Sequence, residues 1–132
     1  MKSHTTFRRV APIPAGFLTV VVITTLTDVI LHAIGVFPPW GEPMADGLFV
    51  LPLGYRILYA VIGGYVAARL ATQKPVTHAV ALGAIGLVLS LIGIAATAGK
   101  GDAYGPVWYS LLVAATAVPG SWAGGKLFTV RA

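Results

Sequence analysis

Asp28, Arg56 and His32 each sit inside an apolar run long enough to cross a bilayer, where composition alone does not account for them. An ionised side chain at the centre of a membrane helix costs about 2.5–3.5 kcal/mol or more, so Asp28 needs a partner, a proton or water. The first run ends near Phe37, which puts Asp28 about nine residues, or about 13 Å, below the outer boundary at 1.5 Å per residue. The second begins near Leu48 and puts Arg56 about eight residues, or about 12 Å, below the same boundary. Opposite charges at matching depth on consecutive antiparallel helices predict an intramembrane Asp28–Arg56 ion pair.

His32 shares a helix face with Asp28 at i+4, within reach to hydrogen-bond to it or to titrate in its field. Tyr59 lies one turn from Arg56 at i+3 and Tyr55 adjoins it, completing a polar cluster of Asp28, His32, Arg56, Tyr55 and Tyr59. Three roles suit such a cluster: a clasp that fixes helix register, a proton, ion or polar-ligand site open to the outer face, or a contact with a partner subunit. Asp28 and His32 have ligand-compatible spacing for a metal, but two ligands are not a site. His78 and His4 belong to the other end of the bundle and to the N-terminal arm, so no metal site and no cofactor is expected. No nucleophile elbow, HExxH pair or phosphate-cradling loop occurs, and the chain is not expected to be an enzyme.

The elements that position these residues follow from hydropathy. With 57% hydrophobic residues, 10% charged residues and a mean hydropathy of +0.85, the 132-residue chain has too little polar surface to coat a water-soluble domain. The fold expected is all-α: a polytopic, four-transmembrane-helix bundle of two antiparallel hairpins in a single domain, residues 1–132. The spans fall at about 15–37, 48–71, 77–98 and 106–128. The first starts after Pro12–Ile13–Pro14, a segment without interior helical donors, and Pro38–Pro39 mark its end. It is too long for a signal-peptide core, so no cleavage is expected. The turn Thr72 to Val76 forces the second and third spans to be antiparallel neighbours. Gly83, Gly86, Ser90 and Gly93 punctuate the third span, as small residues do where helices approach closely in lipid. Trp40, Trp108 and Tyr109 fit interfacial anchors, and Pro119 is expected to kink the fourth span.

Orientation follows from the bases. Lys2, Arg8, Arg9, Arg69, Lys74, Lys126 and Arg131 fall on one side and only Lys100 on the other, with Arg56 inside a span. Glu42, Asp46 and Asp102 lie on the base-poor side. Both termini are therefore expected in the cytoplasm. Bases at span ends, without an aromatic-interleaved stripe, argue against nucleic acid despite the net charge of +5. The absence of cysteine excludes thiolate chemistry. Residues 63–70, GGYVAARL, echo residues 120–127, GSWAGGKL. The echo is either what cytoplasmic helix ends generally share or a repeat of two hairpins in parallel orientation.

The stretch from Tyr55–Arg56 through Gly63–Gly64–Tyr65 and Arg69–Leu70, then Pro75 and His78–Ala79, resembles a type of small, uncharacterised four-helix protein of bacterial inner membranes. The likeness extends to Trp108–Tyr109 and Gly124–Gly125–Lys126–Leu127. It implies a bacterial inner-membrane location and carries no activity, substrate or ligand. Small multidrug transporters also set an acid in the first of four short helices, but here the acid faces an arginine and prolines follow the first span. Two readings follow. In the first, the chain is a structural or accessory membrane subunit held by an Asp–Arg clasp, with the lipid bilayer and a second copy or another membrane subunit as its partners. In the second, it is a small ion- or proton-coupled transporter that uses the Asp/His/Arg cluster.

The seven-to-one base asymmetry predicts that a single cysteine introduced by Ser3→Cys stays unlabelled by a membrane-impermeant thiol reagent in intact cells and reacts after permeabilisation. Labelling in intact cells inverts the orientation.

Overall fold

A computed structural model describes residues 11–40, 42, 44–99 and 106–131. Its elements in chain order are α1, Pro12–Ala33; a 3-10 turn, Asp46–Phe49; α2, Val50–Leu70; α3, Pro75–Thr97; and α4, Val107–Arg131. Together they form an all-α four-helix bundle. Side chains are sorted inside out relative to a water-soluble protein. The buried hydrophobic set is dominated by alanines 67, 68, 79 and 114, while large side chains such as Leu18, Leu26, Ile92 and Val107 are more than half exposed. Lipid solvates such a surface, and small buried residues then let dispersion contacts hold the helices together. Three helical stretches are long and apolar enough to cross a membrane, Pro12–Ala33, Asp46–Leu70 and Pro75–Thr97. The fourth helix is the longest at 25 residues but falls short of that apolarity, because Gly, Ser, Thr and Pro replace large aliphatics along it.

α1 differs from the expected span at both ends. It begins at Pro12, because the first turn of a helix has no intrahelical use for the N–H that proline lacks. It stops at Ala33, four residues before Phe37. Gly35 adopts a left-handed φ of +83°, and the N–H groups of Val36 and Phe37 both turn back to the Leu31 carbonyl, at 3.0 and 3.1 Å. Phe37 is folded under the loop and buried instead of continuing the helix. Asp28 is thus five residues from the end of α1 and Arg56 six from the start of α2, about 8–9 Å at 1.5 Å per residue. The depths match, as expected, but are shallower than the apolar runs implied.

Close glycine contacts define the packing. A Cβ on Gly64 would overlap the Ser121 backbone, one on Gly120 would lie 3.0 Å from the Ala60 Cβ, and one on Gly124 would overlap the Val61 carbonyl. Phe49 meets Tyr109 and Tyr65 meets Phe128. Residue numbers rise together across these pairs, so α2 and α4 run parallel. The echoed segments are therefore the two walls of one close crossing, and Gly64 sits on Ser121, its own counterpart in the echo. α3 meets α4 antiparallel, with Gly83 against Ala117, Val118 and Ser121, and Gly125 against Val76 and Ala79. α1 meets α2 through Gly16, whose Cβ would lie 2.8 Å from the Gly63 carbonyl, and touches α3 only slightly. Pro119 sits inside α4 without ending it. Of the small residues singled out on the third span, Gly83 is used within the bundle and Gly93 meets nothing within 4 Å.

Gly124→Val places branched bulk on the Val61 carbonyl and 2.7 Å from the Tyr65 nitrogen, and is expected to destabilise the bundle by about 1–3 kcal/mol or more. Gly93, where a Cβ meets nothing within 4 Å, serves as the control. Gly93→Ala is expected to be neutral or to stabilise by up to about 1 kcal/mol through helix propensity. Thermal unfolding in detergent, followed by circular dichroism, compares the two.

Candidate functional site

The C-terminal half of α1 presents Thr27, Asp28 and His32 toward α2 and the loop after α1. Asp28 uses both oxygens: Oδ1 accepts from the Tyr55 hydroxyl and Oδ2 from Arg56 Nη2 at 3.1 Å. The ion pair expected from matched depth is formed, with side chains 36% exposed for Arg56 and 23% for Asp28 in the isolated bundle. Next to Asp28 on α1, Thr27 Oγ1 donates to the Ile23 carbonyl at 2.7 Å. Its single proton being committed there, the Tyr59 hydroxyl 2.8 Å away is the donor between those two residues. α1 is thus pinned to α2 by two adjacent polar ties, while Gly16 supplies close contact at the other end.

His32 does not join Asp28. Its Nδ1 lies 2.8 Å from the Pro38 carbonyl, which can only accept, so Nδ1 carries a proton. The ring stacks on Trp40 at a centroid distance of 3.5 Å and meets Phe37 edge-on at 5.2 Å. The reversal at Gly35 brings Pro38 and Trp40 back over the helix end and captures the imidazole before it can turn toward the acid. The i+4 spacing located His32 on the right face but could not foresee a loop acceptor nearer than Asp28. Trp40, expected as an interfacial anchor, stacks on His32 with one face and stays largely exposed. His78 stays in the first turn of α3, bonded to the Lys74 carbonyl at 3.0 Å, and His4 lies outside the described residues.

Two members of the site were not singled out in the sequence. Thr27 carried only the weak signal that it adjoins Asp28, because the antiparallel register of Asp28 with Arg56 sets Tyr59 at the height of Thr25. Tyr109 carried no such signal. An aromatic-belt position explained it fully, yet it packs on Phe49 with centroids 5.0 Å apart and lines the same spaces as Arg56.

Three cavities meet at Arg56. An outer vestibule of about 270 Å³ is bounded by Asp28, His32, Glu42, Tyr55, Arg56 and Tyr109, among others. A central cavity of about 240 Å³ lies between all four helices and is mostly apolar, with Thr24, Ser90, Thr116 and Ser121 on its walls. A groove of about 250 Å³ between α3 and α4 runs past Ser90, Thr97, Tyr109 and Ser110. Thr24 Oγ1 and Arg56 Nε are buried without a hydrogen-bond partner.

A double-mutant cycle measures the tie between α1 and α2. Asp28→Ala or Arg56→Ala alone strands the opposite charge, so the double variant is expected to be destabilised by less than the two single changes add up to, with a coupling of about 0.5–3 kcal/mol. Additive unfolding free energies in detergent refute the pairing.

The four-helix bundle with three long apolar helices is consistent with a small membrane protein. In comparisons with protein families, with curated proteins and with solved structures, none matches this chain.

Proposed function

We propose that the chain is a four-span protein of a bacterial inner membrane, two antiparallel hairpins with both termini cytoplasmic, and that it acts as a structural or accessory subunit without catalytic activity. The observation that carries this reading is the saturation of Asp28. Both carboxylate oxygens are held by α2, while His32, the group that would have tuned a titrating acid, is tied to the Pro38 carbonyl. A clasp in which the carboxylate already has a donor on each oxygen fixes α1 in register. Spanning by α4 is supported by its length, about 37 Å at 1.5 Å per residue against a hydrocarbon core of about 30 Å. Its parallel registry with α2 and its outward-facing Leu111, Leu112, Leu127 and Val130 support it as well. The same outward aliphatic surface is what lipid, a second copy or another membrane subunit would meet. The absence of a nucleophile–base pair in the sequence supports the non-enzymatic reading.

One observation favours a small ion- or proton-coupled transporter instead: the vestibule and the central cavity both reach Arg56. Flux separates the two readings. If the clasp is structural, wild-type protein in liposomes leaves an imposed pH gradient decaying at the rate of protein-free vesicles. The double variant Asp28→Leu/Arg56→Met then folds at the wild-type level, since apolar residues can replace a buried ion pair at little cost. A gradient dissipated by wild type but not by the folded double variant overturns the accessory role.

A further inference from the structure

The clasp leaves Arg56 half used. Asp28 engages a single nitrogen, Nη2, while Nε is enclosed without a partner and more than a third of the side chain faces open space. Thr24, one turn deeper on α1 than Asp28, has the same surplus. Thr19, Thr27, Thr97 and Thr116 each donate to the carbonyl four residues back. Thr24, only 8% exposed, does not, and its Oγ1 has no partner. Both side chains wall the central cavity, where among the described residues Arg56 is the only charged one and the rest are aliphatic, glycine or hydroxyl-bearing apart from Phe17. An unpartnered buried donor costs free energy unless something accepts from it. A charged donor and a hydroxyl facing a mostly apolar space call for an anion, not a cation.

We propose that the central cavity binds one small monovalent anion of the nitrate or formate class, held by Arg56 and the Thr24 hydroxyl and reached through the outer vestibule, with uptake of one proton by Asp28. Size permits it: about 240 Å³ compares with a share of about 30 Å³ per molecule in liquid water, enough for such an ion and a few waters. Charge supplies the proton linkage. Asp28 and Arg56 together are neutral, so an added anion leaves one net negative charge in a low-dielectric space, and protonation of the Asp28 carboxylate by solvent removes it. The other titratable groups around the clasp are His32 on α1, Glu42 in the loop, Tyr55 and Tyr59 on α2, and Tyr109 on α4. α3 contributes only neutral residues to the cavities. Asp28 and Glu42 both line the vestibule and neither lines the central cavity, but Asp28 is bonded to the guanidinium that would hold the anion, and His32 is engaged with Pro38, so Asp28 is the carboxylate coupled to the anion.

The test is calorimetric titration of sodium nitrate into the full-length protein in detergent, in gluconate buffer, at several pH values and in buffers of different ionisation heat. Wild type is expected to bind one nitrate with uptake of a proton. Affinity should fall as pH rises, by up to about tenfold per pH unit for one linked proton. Asp28→Asn, already neutral, should bind nitrate without pH dependence. Thr24→Val, which keeps shape and clasp, should bind about tenfold more weakly, and Arg56→Gln should not bind. If Arg56→Gln does not fold, Thr24→Val and Asp28→Asn carry the test. The proposal is overturned by no saturable nitrate binding in wild type, by pH-independent binding, by undiminished affinity in Thr24→Val, or by a response to phosphatidylglycerol micelles alone. Binding without flux leaves the accessory role intact, so the two proposals fail separately.

Discussion

An acid and a base placed below the lipid boundary must find each other, and the arrangement of α1 depends on that requirement. α1 makes few contacts with α3, and α2 is its principal neighbour. What holds its outer half is polar: Asp28 on Tyr55 and Arg56, and Thr27 beneath Tyr59. A hydrocarbon solvent supplies little reward for burying leucine against leucine, so a helix attached at one edge needs directional bonds to set its height and rotation. The glycine contact of Gly16 with Gly63 at the other end then fixes its tilt.

The remaining three helices are held differently. α2, α3 and α4 approach through Gly64, Gly83 and Gly124, where a methyl group would overlap backbone, and through Gly120 and Gly125, where it would press on the Ala60 and Ala79 side chains. Close approach of this kind replaces hydrophobic burial with dense dispersion contacts. It also explains why α4 is the least apolar helix. Residues that would have raised its hydropathy would not fit against α2 and α3.

The two modes of attachment together produce the cavities. α1 leans on α2 at the clasp, α4 is drawn tightly to α2 and α3, and a wedge between α1 and the α3–α4 pair is left open beside Phe17, Val20 and Thr24. Arg56, on the helix common to both attachments, stands where the resulting spaces converge. A guanidinium has five N–H donors, and one carboxylate does not satisfy them.

Composition and hydropathy determined the helical, membrane-directed character of the chain, because a bilayer imposes length and apolarity on each segment independently of its neighbours. Antiparallel succession with matched depth likewise made Asp28 and Arg56 legible as partners, since the 1.5 Å rise converts residue counts into height. The sequence alone did not determine where α1 stops, because a left-handed Gly35 ends the helix inside a run that stays apolar to Phe37. Nor did it decide the fate of His32, whose acceptor is a loop carbonyl brought over the helix by that reversal. The placement of Tyr109 beside Arg56 and the pressing of one echoed segment against the other are likewise tertiary facts. Helical spacing says which residues share a face, but which face meets which is decided only when all the small residues find backbone to touch and every buried donor competes for an acceptor.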